Sequence, residues 1–145
     1  MAKNIYILVG ASGSGKTWVA KQVADRFTYV AHDTHGLLGN ESYVQVIART
    51  AQQTDKPVLC DTPFSLSQIK EPLERLGFDV RPIFIIEAPE VTRSRYEARY
   101  KTEGQGQPVM PIGHITRIET YRQRAKELQA PSGTSSQILE YLRKV

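Results

Sequence analysis

Gly10, Gly15, Lys16 and Thr17 stand in the order G-x-x-x-x-G-K-T within GASGSGKT, residues 10–17, directly after the apolar run IYILV at residues 5–9. Glycines let consecutive backbone N–H groups turn toward one anion, and a helix opening behind them adds the positive end of its dipole. The chemistry such a loop can do is to hold phosphates. Gly10, Gly13, Ser14 and Gly15 would cradle the phosphates of a nucleotide, Lys16 would reach its β- and γ-phosphates, and the Thr17 hydroxyl would hold Mg²⁺. The position between a first strand and a first helix is the one this pattern requires.

Holding a nucleoside triphosphate does not choose between a switch, a motor and a transferase. A guanine-nucleotide switch needs an Asn-Lys-x-Asp base reader and an Asp-x-x-Gly turn, whereas Asp61 is followed by TPF. A motor needs an Asp-Glu pair ending a core strand, and none is present. A kinase needs an acceptor site, an acidic group near the metal and a cationic lid. Asp33, in YVAHDTHG at residues 29–36, falls at the end of a short strand and could take the proton of an acceptor hydroxyl. His32 and His35 flank it, and His35 is a candidate for acceptor binding. Asp61, at the end of another strand, could bind Mg²⁺ through water or position the acceptor. Arg95 and Arg99 lie one helical turn apart, with Arg93 and Lys101 nearby, and guanidinium groups suit a transferring phosphoryl group. The stretch PSGTS at residues 131–135 would pass beside the adenine of bound ATP through Ser132, Gly133 and Thr134.

The elements that must position these groups alternate short apolar runs with helical patterns, the signature of a parallel sheet covered on both faces. Strands are expected at residues 5–9, 29–31, 58–60 and 80–86, with a short fifth near 126–128. Val19, Val23, Ala24 and Phe27 recur at helical spacing after the glycine loop, and Tyr43, Val46, Ile47 and Thr50 do so in a second helix over 42–53. Ser65 and Gln68 have the spacing of a capping box, Gly77 would end the helix they open, and Pro72 either kinks that helix or marks its true start. Pro89 can open the next one. The glycine- and proline-rich stretch TEGQGQPVMPIG at 102–113 reads as a flap, giving a small lid over about 93–113. A helix near 115–124 follows, and Thr134 with Gln137 caps the last helix. The fold class expected is α/β, a phosphate-loop NTPase kinase fold with about five parallel strands, as a single domain over residues 1–145.

The chain has 145 residues, 19 Lys and Arg against 15 Asp and Glu, and a formal charge of +4, which permits a polyanionic partner. No apolar run approaches the roughly 20 residues that span a bilayer. No secretory h-region is visible, and a single cysteine, Cys60, in an apolar run fits a buried thiol in a reducing compartment, so a cytoplasmic location is expected, or the host cytoplasm for a viral chain.

Together the glycine loop, the Asp33 segment, VLCDTPFS at 58–65 and the stretch from GFDVRPIFIIEAPE through RYEARYKTEGQGQPVMPIGHITRIETYRQR resemble the kinase domain of phage-type polynucleotide 5′-hydroxyl kinases. The likeness covers most of the chain. It implies that Asp33 activates the acceptor hydroxyl, that Lys16 and Thr17 serve ATP and magnesium, and that Arg95 or Arg99 acts from the lid. Two departures matter. No phosphatase-like segment accompanies the kinase-like residues, and His35 stands where the family grips the acceptor's phosphate with arginine. Related phage kinases look similar and phosphorylate a hydroxymethyl pyrimidine in DNA. The sequence reading is therefore an ATP- and Mg²⁺-dependent kinase acting on DNA, at a 5′-hydroxyl end or a hydroxymethyl base. A small-molecule kinase and a regulatory nucleotide-binding module without turnover are the alternatives.

Overall fold

The computed structural model describes residues 3–11, 13–35, 39–62, 66–104 and 108–145, apart from the side chains of residues 112, 114 and 115. In chain order the elements are β1 (Asn4–Val9), α1 (Lys16–Gln22), β2 (Thr28–Val30), α2 (His32–His35), α3 (Asn40–Gln53), β3 (Val58–Thr62), α4 (Leu66–Arg75), β4 (Asp79–Ile85), α5 (Pro89–Glu103), α6 (Ile112–Leu128), β5 (Ser132–Gly133) and α7 (Ser135–Lys144). The five strands are parallel, in the order β2-β3-β1-β4-β5.

Strand β1 is buried along nearly its whole length, which is why its sequence is a continuous apolar run rather than an alternation. Its period of two still decides the packing. Ile5, Ile7 and Val9 face one layer with Tyr43, Ile47, Ile69 and Leu73 from α3 and α4. Tyr6 and Leu8 face the other with Val19 of α1, Val23 at its C-cap, and Ile138 and Leu142 of α7. Each such fully buried aliphatic side chain contributes about 1.5–3 kcal/mol. The chain therefore leaves β1 on one face of the sheet and leaves β3 on the other. Neighbouring strands whose connections depart to opposite faces open a crevice at their carboxyl ends, and that is where α/β sheets bind ligands.

Several boundaries differ from the sequence expectation. Residues 126–128 remain in α6, because Lys-Glu-Leu continues a good helical run until Gln129 closes it in the left-handed conformation (φ 52°). The fifth strand is Ser132–Gly133, tied to β4 by Phe84 N–H to the Pro131 carbonyl (2.9 Å) and Ile86 N–H to the Gly133 carbonyl (2.7 Å). Residues expected on a loop after a strand are thus the strand itself. Helix α6 also begins earlier and ends later than 115–124, and Thr102 and Glu103 belong to α5 rather than to the flap. Pro72 lies inside α4 without ending it. Ser65 and residues 105–107 of the flap lie outside the described residues. The Thr134–Gln137 capping box is present in full.

One contact ties this scaffold to the crevice. The β2–β3 ladder ends at Val30 and Cys60, and just beyond it the Tyr43 hydroxyl donates to the Val30 carbonyl (2.6 Å) and receives the Asp61 N–H (3.2 Å). Tyr43 is fully buried, and the His32 ring packs edge-on against it at 5.1 Å. Tyr43→Phe leaves both backbone groups without that partner in a dry environment. It should lower the unfolding free energy by about 1–3 kcal/mol, read as a lower urea midpoint with an unchanged slope.

Candidate active site

The loop between β1 and α1 is shaped by close approach. Gly13 has φ 86°, and a Cβ there would lie 2.6 Å from the Thr92 carbonyl of α5. Gly15, at φ 102°, is the N-cap of α1, and a Cβ there would lie 3.0 Å from Ser135. Only glycine meets both the left-handed backbone and the missing space. Lys16 folds back over this loop, its Nζ donating to the carbonyls of Gly10 (2.5 Å) and Ala11 (3.2 Å). Burial lowers its pKa to about 8, opposed by the negative charge of Asp61 and assisted by the positive charge of Arg99. The Ser14 hydroxyl is buried and has no hydrogen-bond partner among the described residues.

These features fit the phosphates of a nucleotide. A desolvated ammonium and an orphaned hydroxyl in a glycine cradle are groups that anionic oxygens satisfy. Thr17 and Asp61 together fit Mg²⁺, a hydroxyl and a carboxylate being the hard oxygen donors it takes.

Across the crevice the Tyr29 hydroxyl donates to Asp61 Oδ1 (3.2 Å) and also hydrogen-bonds the Thr17 side chain. Asp61 Oδ1 accepts the His32 N–H as well (2.9 Å). Burial pushes the Asp61 carboxyl up from its ordinary value, while these hydrogen bonds and Lys16 pull it down without cancelling that effect. The His32 bond holds the start of α2, and so fixes where the next residue, the exposed Asp33, enters the crevice.

The third wall is α5. Arg95 donates from Nη1 to the Ser14 carbonyl of the glycine loop (3.0 Å) and lies 3.7 Å from Glu87. Glu87, buried just past β4, accepts from Ser135 N–H (2.7 Å) and the Ser135 hydroxyl (2.8 Å) at the start of α7. Arg99, one turn beyond Arg95, lies 3.6 Å from Glu103.

These walls enclose a cleft of about 440 Å³. Gly13, Gly15, Lys16, Thr17, Asp33, Asp61, Arg95 and Arg99 all line it. Gly10 and Ser14 lie buried beneath the loop. His35, at the far end of α2, and the segment Ser132, Gly133 and Thr134 are not among the cleft's lining residues, and the Thr134 side chain is engaged in capping α7. Sequence reasoning missed Tyr29, Glu87 and Trp18. Glu87 had a signal of the same kind as Asp61, an acidic residue directly after an apolar strand. Tyr29 had none, since its role comes from a strand pairing that only the fold reveals.

Solved structures share this architecture. A tunicamycin resistance protein of Deinococcus radiodurans aligns with a TM-score of 0.68 at 15% identity, covering 97% of this chain and 93% of that one. A gluconokinase of Sinorhizobium meliloti 1021 gives 0.61 at 14%, covering 94% and 87%, and a shikimate kinase of Acinetobacter baumannii, in complex with shikimate, gives 0.58 at 16%, covering 99% and 92%. The chain has the fold of the phosphate-loop kinases. No protein-family model matches its sequence, and a sequence search finds no matching curated protein. No helix among the described residues is long and apolar enough to cross a membrane.

Two predictions follow from the charges in the cleft. A polyphosphate beside Lys16 favours the protonated amine, so binding takes up a proton once the pH exceeds about 8. Affinity for ATP, measured by calorimetry, should fall by up to about tenfold per pH unit above that point, and Lys16→Met should flatten the dependence. For Asp61, the folded-state pKa lies above the unfolded one, so the folded chain holds the proton more tightly and this group loses stability as pH rises through that window. Asp61→Asn keeps an oxygen for His32 and Tyr29 but removes the desolvated charge. It should raise the melting temperature at pH 7 while weakening metal-dependent function, and a lowered melting temperature would contradict the assignment.

Proposed function

We propose that this chain is an ATP- and Mg²⁺-dependent phosphotransferase that moves the γ-phosphoryl group to an alcohol. The observation that carries this reading is the convergence of Lys16 and Thr17, Asp33 and Asp61, and Arg95 and Arg99 on one cleft at the carboxyl end of the sheet. A bare nucleotide-binding module has no use for an exposed carboxylate facing the phosphate end of its loop.

In this reading the glycine loop and Lys16 hold the triphosphate, with its γ end toward α2. Mg²⁺, when bound at Thr17 and Asp61, neutralises charge on the phosphates. Asp33 accepts the acceptor's hydroxyl proton as the acceptor oxygen forms its bond to phosphorus. The bond from that phosphorus to the bridging oxygen breaks, and ADP carries the electron pair away. Arg95 and Arg99 offset the charge that spreads over the transferring group. Asp61 also fixes the acid wall by holding the His32 N–H, so its removal affects both metal and acceptor geometry.

For the acceptor, the resemblance to polynucleotide kinases and the net charge of +4 support a hydroxyl of a nucleic acid, either a 5′ end or a hydroxymethyl pyrimidine in phage DNA. A small-molecule acceptor is the second reading, supported by the shared fold with proteins whose names are gluconokinase and shikimate kinase. Incubation with γ-labelled ATP and Mg²⁺ separates them, using a 5′-hydroxyl oligonucleotide, hydroxymethyluracil DNA blocked at its 5′ ends, and a panel of nucleosides and sugar acids. Label in either DNA is the expected outcome, and label only in a small molecule overturns the nucleic-acid reading. Asp33→Asn should lower turnover by about 10²–10⁴ with ATP affinity within a few-fold of the parent. Unchanged turnover in that variant, or no transfer to any acceptor, would remove the kinase assignment.

A further inference from the structure

Trp18 is the chain's single tryptophan, and 47% of its surface is exposed. Helix α1 satisfies the core without it, through Val19 and Ala20. Trp18 belongs to neither buried core cluster, so the core does not require an indole at this position, and bulky aromatics are not favoured on an exposed helix face by propensity. Its surroundings do give a reason. Trp18 directly follows Thr17 and lines the same cleft as Lys16, Asp33 and Arg99. Lys21, exposed and three residues further along α1, lines it too.

At 100° per residue, Gly15 points toward α7, where it approaches Ser135, and Thr17 points toward Tyr29 of β2. Trp18 projects on the solvent side between those two directions, and Lys21 projects close to that of Thr17. The indole thus lies on the solvent side of α1 while lining the cleft that holds Lys16 and Thr17. No Phe or Tyr joins it among the cleft's described lining residues.

Building on the phosphotransferase reading, we propose that Trp18 is the stacking surface for a nucleobase carried by a substrate, with Lys21 facing the phosphate attached to that base. A flat apolar ring beside a cation matches a nucleotide, which presents a planar ring joined to an anion. An open-chain sugar acid or other acyclic polyol carries no aromatic ring to stack on the indole, and the quenching test separates it from a nucleobase. The base can belong to the nucleotide donor or to a nucleic-acid acceptor, and the two sources share this chemistry.

The single indole supplies its own reporter. Trp18 fluorescence is titrated at pH 7.5 with Mg²⁺ and, in turn, tripolyphosphate, ATP, and a short single-stranded oligonucleotide added over saturating tripolyphosphate. Tripolyphosphate should bind by calorimetry with little quenching. Strong quenching by ATP assigns the donor's base, and strong quenching by the oligonucleotide assigns the acceptor's. Trp18→Leu should weaken the quenching ligand by roughly 5- to 50-fold in calorimetry, with tripolyphosphate affinity unchanged and most of the loss restored by Trp18→Phe. The inference is overturned if neither base-bearing ligand quenches more than tripolyphosphate, or if Trp18→Leu leaves every affinity within twofold. Absence of any tripolyphosphate binding is a different failure: it removes the phosphate site, and this inference with it.

Discussion

Asp61 is a carboxylate kept where burial opposes its charge, and the arrangement of the cleft follows from how that charge is held. Isolated, such a group would take up a proton rather than remain ionised in a dry strand end. Here it receives one backbone N–H, from His32, and one phenol, from Tyr29, and it faces the ammonium of Lys16. Each stabilising contact is also a positional one. The His32 bond sets the origin of α2, the Tyr29 bond ties β2 to β3 and reaches Thr17, and Lys16 links the acid wall to the glycine loop. Tyr43 anchors the same point from below by bonding the Asp61 backbone. The burial that makes Asp61 unfavourable is thus what obliges its neighbours to converge.

Lys16 carries the complementary strain. Its charge is desolvated, and two loop carbonyls compensate it only in part, so its pKa falls to about 8. Asp61 and Lys16 are each destabilised by burial and each improved by the other, but that attraction does not return either group to its ordinary pKa. A bound polyphosphate with a divalent cation would improve both at once, the cation beside the carboxylate and the anion beside the ammonium. The cleft is therefore electrostatically suited to a salt rather than to a neutral ligand.

Much of this was legible in the residues. The glycine loop announces itself because its backbone geometry constrains residue type: the positions at which only glycine fits, Gly13 and Gly15, are fixed by φ and by neighbouring atoms. The four longer strands were visible as apolar runs because a parallel sheet buries both of its faces. The fifth was not, since Ser132–Gly133 is a two-residue strand whose evidence is hydrogen bonds to β4 rather than side chains. Asp33, Asp61, Arg95 and Arg99 could be named as separate candidates from their places after strands and along a helix. That they share one cleft, and that His35 and Ser132 to Thr134 do not line it, depends on sheet order and helix length, which no local pattern contains.

Glu87 shows how helix α5 is referred to the rest of the fold. Its ion pair with Arg95 is long, 3.7 Å, and the guanidinium is substantially exposed, so that pair alone contributes little. The two bonds from Ser135 are short and buried, and they satisfy the carboxylate whether or not Arg95 is present. Glu87 therefore fixes the start of α7 against the end of β4, and Arg95 remains held mainly by its bond to the Ser14 carbonyl. That carbonyl belongs to the loop that would wrap the phosphates. A half-buried hydrogen bond to a neutral carbonyl is weaker than one between the same guanidinium and a charged phosphate oxygen, which is also shorter. Glu87 and Ser135 are thus tied by buried bonds and Arg95 by a half-buried one, so an anion at the loop would draw on the guanidinium before it disturbed the contact between β4 and α7.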